Sequence, residues 1–391
     1  MSYLYIDTQN DFDALCAELE DTSCTDNYIA LDTEFMRDKS YYSKLALLQI
    51  CSKSSTAIID PLALENMQAL LGILSNPAIT KVFHAGTQDI EIFYNLFDST
   101  PQNIFDTQVA ASALGLGNQI GYADLVKRLL GKSLSKSHTR THWLDRPLKT
   151  GPLEYAADDV IYLYQLYPIM CETLDSLGRR QWLLEDFEHL TDPEHYQVKT
   201  DTLWRKVKGH QRLRGVQLAI LDEMVRWRER IAIEKNTPRK FVLKDEVLLD
   251  IARHKPTSPD QCLTIRYFPK YFSQSQLNDL IQAVKNGLNR PQQDWPRLPE
   301  FQKLSKHQEA IADTLMTILK WAAAKNDIGT DTLGSRKDID HLVKNYGTED
   351  NKSPLLEGWR FKNVGCYLQD FLEGKISIRV KNSMLEISSE P

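Results

Sequence analysis

The spacing of apolar positions divides the chain into two parts. The first ~190 residues carry strand-like and helix-like periods, and the rest carries helical spacing. Tyr28 to Phe35 reads as a strand, and Leu45 to Cys51 and Ala57 to Ile59 as two more, with short polar connections that suit a meander. A helix over about Asn66 to Leu74 and a strand over Ile79 to Phe83 follow, the strand ending in His84-Ala85-Gly86. Ile90, Phe93, Leu96 and Phe97 repeat with helical spacing, and a long helix runs from about Leu153 to Thr173, with Gly178 beyond it as a stop. Strands first, then strands alternating with helices, predict an α/β fold with a mixed sheet covered by helices.

Thr191 to Asp201 is polar, carries Pro193 and reads as a linker. From about Val207 the pattern is all helical, opening with an amphipathic run through Leu213, Val216, Ile220, Leu221, Met224 and Trp227. Pro291, Pro296 and Pro299 mark a second break over Asn289 to Pro299. A further helical region extends from Leu304 to about Gly374, interrupted near Gly347 to Pro354. The two helical regions are similar in size without a strict repeat.

Length changes the picture little: 391 residues suit two or three domains, and 42% hydrophobic with 26% charged residues is ordinary for a globular protein. None of the six cysteines pairs with another at C-x-x-C spacing, so no zinc knuckle or disulfide framework is indicated. The N-terminus lacks a basic region followed by an apolar one, and no apolar run approaches bilayer length. A cytoplasmic protein with no membrane partner is expected. Charge matters more. The total is −6, but Trp204 to Lys255 holds 14 Lys and Arg against 7 Asp and Glu. One basic module joined to acidic ones is compatible with nucleic-acid binding.

The candidate chemistry is acidic. Asp32 and Glu34 are two apart on a predicted strand and face the same side, inside an otherwise largely apolar run. Isolated Asp-x-Glu pairs are common and mostly solvated, but two carboxylates on an interior strand call for a compensating cation. Asp89 lies in the first turn of the helix after Phe83, where an acid is stabilising in its own right. Tyr155 and Asp159 share a face at i and i+4, a spacing more often found in surface pairs, while Asp158 points elsewhere.

In this order the three pieces resemble the exonuclease motifs of the DEDD superfamily, and Tyr155 places the chain with its tyrosine-bearing branch. The closer resemblance is to the bacterial ribonuclease D family. It rests on Ala30-Leu31-Asp32-Thr33-Glu34-Phe35 with Tyr41-Tyr42 and Leu47-Leu48-Gln49, on His84-Ala85-Gly86-Thr87-Gln88-Asp89, and on Asp106-Thr107-Gln108. Lys136-Ser137, Trp143-Leu144-Asp145-Arg146-Pro147-Leu148 and Tyr155-Ala156-Ala157-Asp158-Asp159 complete it. Trp227 to Arg230, Asn236 to Arg239, Phe241 to Leu243 and Ile251 to Pro256 resemble the HRDC domain, a small helical bundle shared with RecQ-type helicases.

The resemblance implies a ribonuclease-H-like α/β exonuclease domain over residues 1–192, an all-α HRDC domain over 207–289, and a second, diverged HRDC-like helical domain over 300–385. It implies 3′→5′ exoribonuclease activity that trims tRNA precursors and other small structured RNAs, by a monomer without a nucleotide cofactor. Asp32, Glu34, Asp89 and Asp159 would hold two divalent cations, Mg²⁺ or Mn²⁺, which hard oxygen donors favour. Tyr155 would orient the attacking water. Phe35 is a candidate for stacking on a terminal base, or a core residue. His84, Lys136, Arg140 and Arg146 are candidates for RNA phosphate contacts, although such residues are usually structural or simply solvated. A DNA exonuclease using the same acids, or a silent RNA-binding scaffold, are the competing readings.

Other motifs fail on context. Gly115-Leu116-Gly117-Asn118-Gln119-Ile120-Gly121 nearly spells a dinucleotide loop, but follows a helical segment and reads as a flexible turn. His138 and His142 lack the glutamate and third ligand of a zinc protease.

Overall fold

The computed structural model describes residues 3–21, 26–134, 141–298, 303–348 and 352–389. Two compact units form. One comprises Met1–Glu34, Ala46–His195 and Gln302–Pro391, the other Phe35–Leu45 and Tyr196–Phe301.

A six-stranded sheet underlies the first unit: β1 (Leu4–Ile6), β2 (Tyr28–Met36), β3 (Lys44–Cys51), β4 (Thr56–Ile59), β5 (Thr80–Phe83) and β6 (Ile104–Asp106). Their spatial order is β1-β4-β3-β2-β5-β6. β3 and β4 are antiparallel, while β1–β4, β2–β5 and β5–β6 are parallel, so the sheet is mixed as the pattern predicts. β2 lies inside the sheet with Ile29, Ala30 and Leu31 fully buried. The helices are α1 (Gln9–Glu20), α2 (Leu70–Ser75), α3 (Thr87–Phe97), α4 (Thr107–Ala113), α5 (Tyr122–Leu130), α6 (Thr150–Ser176) and α7 (Leu184–Thr191). α2 starts four residues later than the pattern predicts. Asn66 turns its side chain back onto the Gln68 N–H, a local bond that competes with helix.

Two internal pins fix the frame around β2 and α3. The Asp106 carboxylate caps α4 through the N–H groups of Gln108 and Val109, and also accepts from Ala85 and Gly86 at 3.1 and 2.8 Å. It thereby holds the turn that launches α3. In that turn Ala85 takes a left-handed φ of 56°. A Cβ on Gly86 would lie 2.6 Å from the Phe83 Cβ, so glycine is required there. The second pin is Arg146. Its guanidinium donates to both Asp60 carboxylate oxygens and to the carbonyls of Trp143, Asp145 and Ala46. All five donors are engaged, so Arg146 ties loop to sheet and is not free for an RNA phosphate, which corrects the expectation for it.

The second unit contains α8 (Val216–Glu234), α9 (Arg239–Val242), α10 (Asp245–His254), α11 (Pro259–Leu263) and α12 (Gln274–Asn289). Gly287 of α12 passes so close to α8 that a Cβ would lie 2.5 Å from the Ile220 Cα. Leu221, Met224, Leu248, Ile251, Leu280 and Val284 fill the core. The segment Phe35–Leu45 joins this unit through Tyr41, whose ring is buried in the same core. The Tyr41 hydroxyl donates to Glu229, and Arg239 donates to both Glu229 oxygens and to the Tyr41 oxygen. The side-chain oxygen of Asn236 accepts from the Tyr41 and Tyr42 N–H groups at 3.0 and 3.1 Å.

The C-terminal segment returns to the first unit with α13 (Lys306–Lys325), α14 (Thr330–Leu333), α15 (Arg336–Asn345), α16 (Gly358–Arg360), a π-helical turn (Phe361–Gly365) and α17 (Cys366–Leu372). Trp359 stacks on Trp182 with ring centroids 4.5 Å apart, and Arg179 donates to the Ala113 and Asn326 carbonyls. Gly115 belongs to this contact. A Cβ there would lie 2.1 Å from the Asp327 carbonyl oxygen, so the glycine turn serves close packing rather than flexibility. An antiparallel hairpin, β7 (Ile376–Lys381) and β8 (Met384–Ser389), ends the chain where the apolar pattern gave no strand. Most of its residues are half-buried or exposed, so its inward alternation is weak.

Replacing Asp106 with Ala strands four backbone donors, two of them beside the turn into α3. The loss should be about 3 kcal/mol, read as a lower urea midpoint.

Candidate active site

β2 brings Asp32 and Glu34 to one side of the sheet, two residues apart in an extended strand. α6 brings Asp159 to them. One carboxylate oxygen from each of Asp32, Glu34 and Asp159 lies within 4.8 Å of the other two. A cavity of about 250 Å³ opens here, lined by Asp32, Thr33, Glu34, His84, Tyr122, Tyr155, Asp159 and Leu163. Tyr155 stands one helical turn before Asp159, with its hydroxyl hydrogen-bonded to that carboxylate.

Asp89, in the first turn of α3, is buried and accepts from the Thr33 hydroxyl. It is outside the three-oxygen group, yet its charge is the largest of the three acidic neighbours acting on Asp32. All four acids are therefore near one another. Burial raises the Asp32 carboxyl well above the usual carboxylate range, and the charges of Asp89, Asp159 and Glu34 push the same way. Burial lifts Glu34 to about 8, with help from Asp159 and Asp89. Burial likewise lifts Asp89 to about 7 against the lowering hydrogen bond from Thr33. Burial and then the Asp158 charge lift Asp159 to about 7. Burial and the surrounding carboxylates raise the Tyr155 hydroxyl further above its ordinary value, so it is protonated at neutral pH.

Acids this close resist ionising together. An all-oxygen donor set under mutual repulsion fits hard divalent cations, which would replace the missing positive charge. The residues present thus fit the metal centre that the sequence motifs imply.

The remaining expected contacts fare differently. His84 does face the cavity, with its Nδ1 2.9 Å from the Thr107 hydroxyl and its ring 5.4 Å from Tyr122. Burial lowers its pKa, so at neutral pH its ring is uncharged and offers a hydrogen bond rather than a positive charge. Phe35, half-buried at the end of β2, does not line the cavity. Lys136 and Arg140 lie outside the described residues. The sequence reading missed Tyr122, whose hydroxyl donates to the backbone carbonyls of Asp158 and Asp159 and so holds the α6 end of the site. Nothing local announces it. Only the return of α5 against α6 gives it a partner.

Comparisons with known proteins agree with this geometry. The 3′-5′ exonuclease family matches residues 3–175, and the HRDC domain family matches residues 217–284. Ribonuclease D of Sphingobium indicum is 38% identical over 365 residues, covering 92% of this chain and 93% of that one. Ribonuclease D of Bartonella henselae is 32% identical and covers 92% and 88%. The crystal structure of Escherichia coli RNase D, described as an exoribonuclease involved in structured RNA processing, superposes with a TM-score of 0.81. It is 29% identical and covers 96% of this chain and 99% of that one.

The raised carboxyls fix a sign for stability. A carboxyl held higher in the folded than in the unfolded chain contributes stability below the ordinary carboxylate range, and that contribution is lost as pH rises through the folded value. The chelator-treated protein should therefore lose stability from about pH 4 to about pH 8 on account of this cluster. Mn²⁺ should raise its melting temperature more at about pH 8 than at about pH 5, because metal competes with protons for these oxygens. Calorimetry of the wild type and of Glu34→Gln reads the effect, which the variant should reduce.

Proposed function

The chain belongs to the ribonuclease D family, and on that footing we propose that its carboxylate cluster removes nucleotides singly from the 3′ ends of small structured RNAs, tRNA precursors among them. It is a 3′→5′ exoribonuclease. The observation that carries the detailed reading is the convergence of Asp32, Glu34 and Asp159 oxygens within 4.8 Å, with Asp89 at their edge.

We assign Asp32, Glu34 and Asp159, supported by Asp89, to holding two divalent cations, Mg²⁺ or Mn²⁺. Such a pair, when bound, activates the attacking water, neutralises the phosphate and stabilises the departing oxygen. Asp32 and Glu34 contribute from a strand inside the sheet, so the two oxygens keep a fixed spacing through turnover. Tyr155 keeps its proton at neutral pH. Its hydroxyl can therefore orient the water as a hydrogen-bonding group and is a poor base. His84, uncharged, faces the same cavity and offers a hydrogen bond to the terminal nucleotide. Hydrolysis of the terminal phosphodiester consumes one water, releases a 5′-nucleoside monophosphate and leaves a new 3′-hydroxyl for the next round.

The basic excess between Trp204 and Lys255 supports a role in holding RNA for the HRDC-matched unit. We read residues 300–385 as a diverged HRDC-like domain on their succession of helices. Among the described residues no helix is long and apolar enough to cross a membrane.

Asp32→Asn and Asp159→Asn should each lower 3′-end trimming of an extended tRNA by about 1000-fold while circular dichroism is unchanged. Tyr155→Phe should lower kcat by about 10–100-fold with KM nearly constant, because a positioning hydroxyl acts on the chemical step. Chelator, or a 3′-phosphate on the substrate, should stop product release. A matched DNA strand assays the competing DNA reading. Full trimming by the folded Asp32→Asn variant would remove the assignment.

A further inference from the structure

The second unit holds a cavity of about 570 Å³. Its lining carries six cations, Lys206, Lys208, Arg228, Arg239, Lys240 and Lys244, against three acids. Two of those acids are already engaged: Glu229 by Arg239 and Tyr41, and Asp245 by Arg228 and the Lys208 N–H. Among the described residues, the side chains of Lys206, Lys208 and Lys244 have no carboxylate partner. Arg228 is 5% exposed, and its Nε has no hydrogen-bond partner. Beside its Asp245 pair this buried guanidinium keeps one unused donor, in a cavity whose lining is net positive and so favours an anion.

An aromatic ledge adjoins this cavity. Lys240 lines the cavity, and its ammonium sits 5.6 Å over the ring of Phe241, the next residue and half-exposed. Tyr271 donates its hydroxyl to the Phe241 carbonyl at 3.0 Å, which anchors the ring while leaving the residue 71% exposed. The loop between α11 and α12 sorts its aromatics. Phe268 and Phe272 pack edge to face at 5.4 Å, with Phe272 6.1 Å from Trp227, and Tyr267 and Tyr271 are left outward. Tyr267 is held at a φ of 61°, a left-handed backbone that costs energy for an aromatic residue, with the Arg266 guanidinium 4.5 Å over its ring. Exposed, anchored rings beside unpaired cations suit a ligand that presents an anion and a flat apolar face together. Single-stranded RNA repeats that pair at every nucleotide.

We propose that this cavity and the Phe241–Tyr271 ledge form a second RNA-holding site, with a backbone phosphate in the cavity and an unpaired base on Tyr271. The proposal rests on the reading that the chain acts on RNA. It goes beyond that reading by naming the cavity and ring of the second unit that form the grip and by dividing it into an ionic and a stacking part.

The two parts have different signatures in binding of a labelled single-stranded oligoadenylate to the full-length protein, with chelator present to prevent hydrolysis. Lys206→Ala with Lys244→Ala should weaken binding and lower the slope of log affinity against log salt, each lost phosphate contact removing about 0.7. Tyr271→Leu should weaken binding by about 10-fold with the salt slope kept, and Tyr271→Phe, which retains the ring, should bind as the wild type does. An unchanged slope in the lysine double variant, or Tyr271→Leu binding as tightly as Tyr271→Phe, would overturn the proposal. So would loss of binding to anionic phosphatidylglycerol vesicles in these variants with RNA affinity intact. Wild-type hydrolysis of a labelled dinucleotide with Mg²⁺, run in parallel, tests the nuclease reading separately.

Discussion

Like charges packed into one place govern this molecule. Burial makes Asp32, Glu34, Asp89 and Asp159 all harder to ionise, and neighbouring carboxylates of the cluster add to this at Asp32 and Glu34. Nothing in the hydrophobic effect would assemble such a group. It exists because the elements that carry the acids are held by other bonds. β2 is fixed by neighbours on both sides, α3 by the turn that Asp106 grips, and α6 by Tyr122 at the backbone of Asp158 and Asp159. Under the proposed function, relief of this buried negative charge by cations would be the same physical event as the formation of a working site.

The acidic constellation could be read in the sequence because each acid sits in a local pattern with its own period. Asp-x-Glu lies on a strand, Asp89 opens a helix, and Tyr155 and Asp159 are one turn apart. Four strands of the sheet, β2 to β5, and the long helix were legible for the same reason. β1 and β6, at three residues each, are too short to establish a period, and the terminal hairpin buries too little to leave one. The long-range pins were silent. Arg146 looked like a surface cation because its partners, Asp60 and the Ala46 carbonyl, are 86 and 100 residues away. Tyr41-Tyr42 belonged to a motif but had no stated purpose until Glu229 and Asn236 supplied one.

Charge statistics were the coarser guide, and they located a basic stretch without saying what it was for. The structure separates its members. Arg228 and Arg239 are tied to Asp245 and Glu229, so they hold the unit together, whereas Lys206, Lys208 and Lys244, which line the same cavity, have no carboxylate partner among the described residues. A basic side chain serves as mortar or as exposed field depending on whether a carboxylate is folded against it. Only three-dimensional neighbours decide which.

Tyr41 and Glu229 meet across 188 residues of chain. A ribosome adding about 5–20 residues per second would complete Tyr41 roughly 10–40 s before its partner emerged. For that interval the segment between β2 and β3, with its two tyrosines, waits without the helices that cover it, so the order of synthesis, and not only the final fold, sets how long this nascent chain needs shelter from its neighbours.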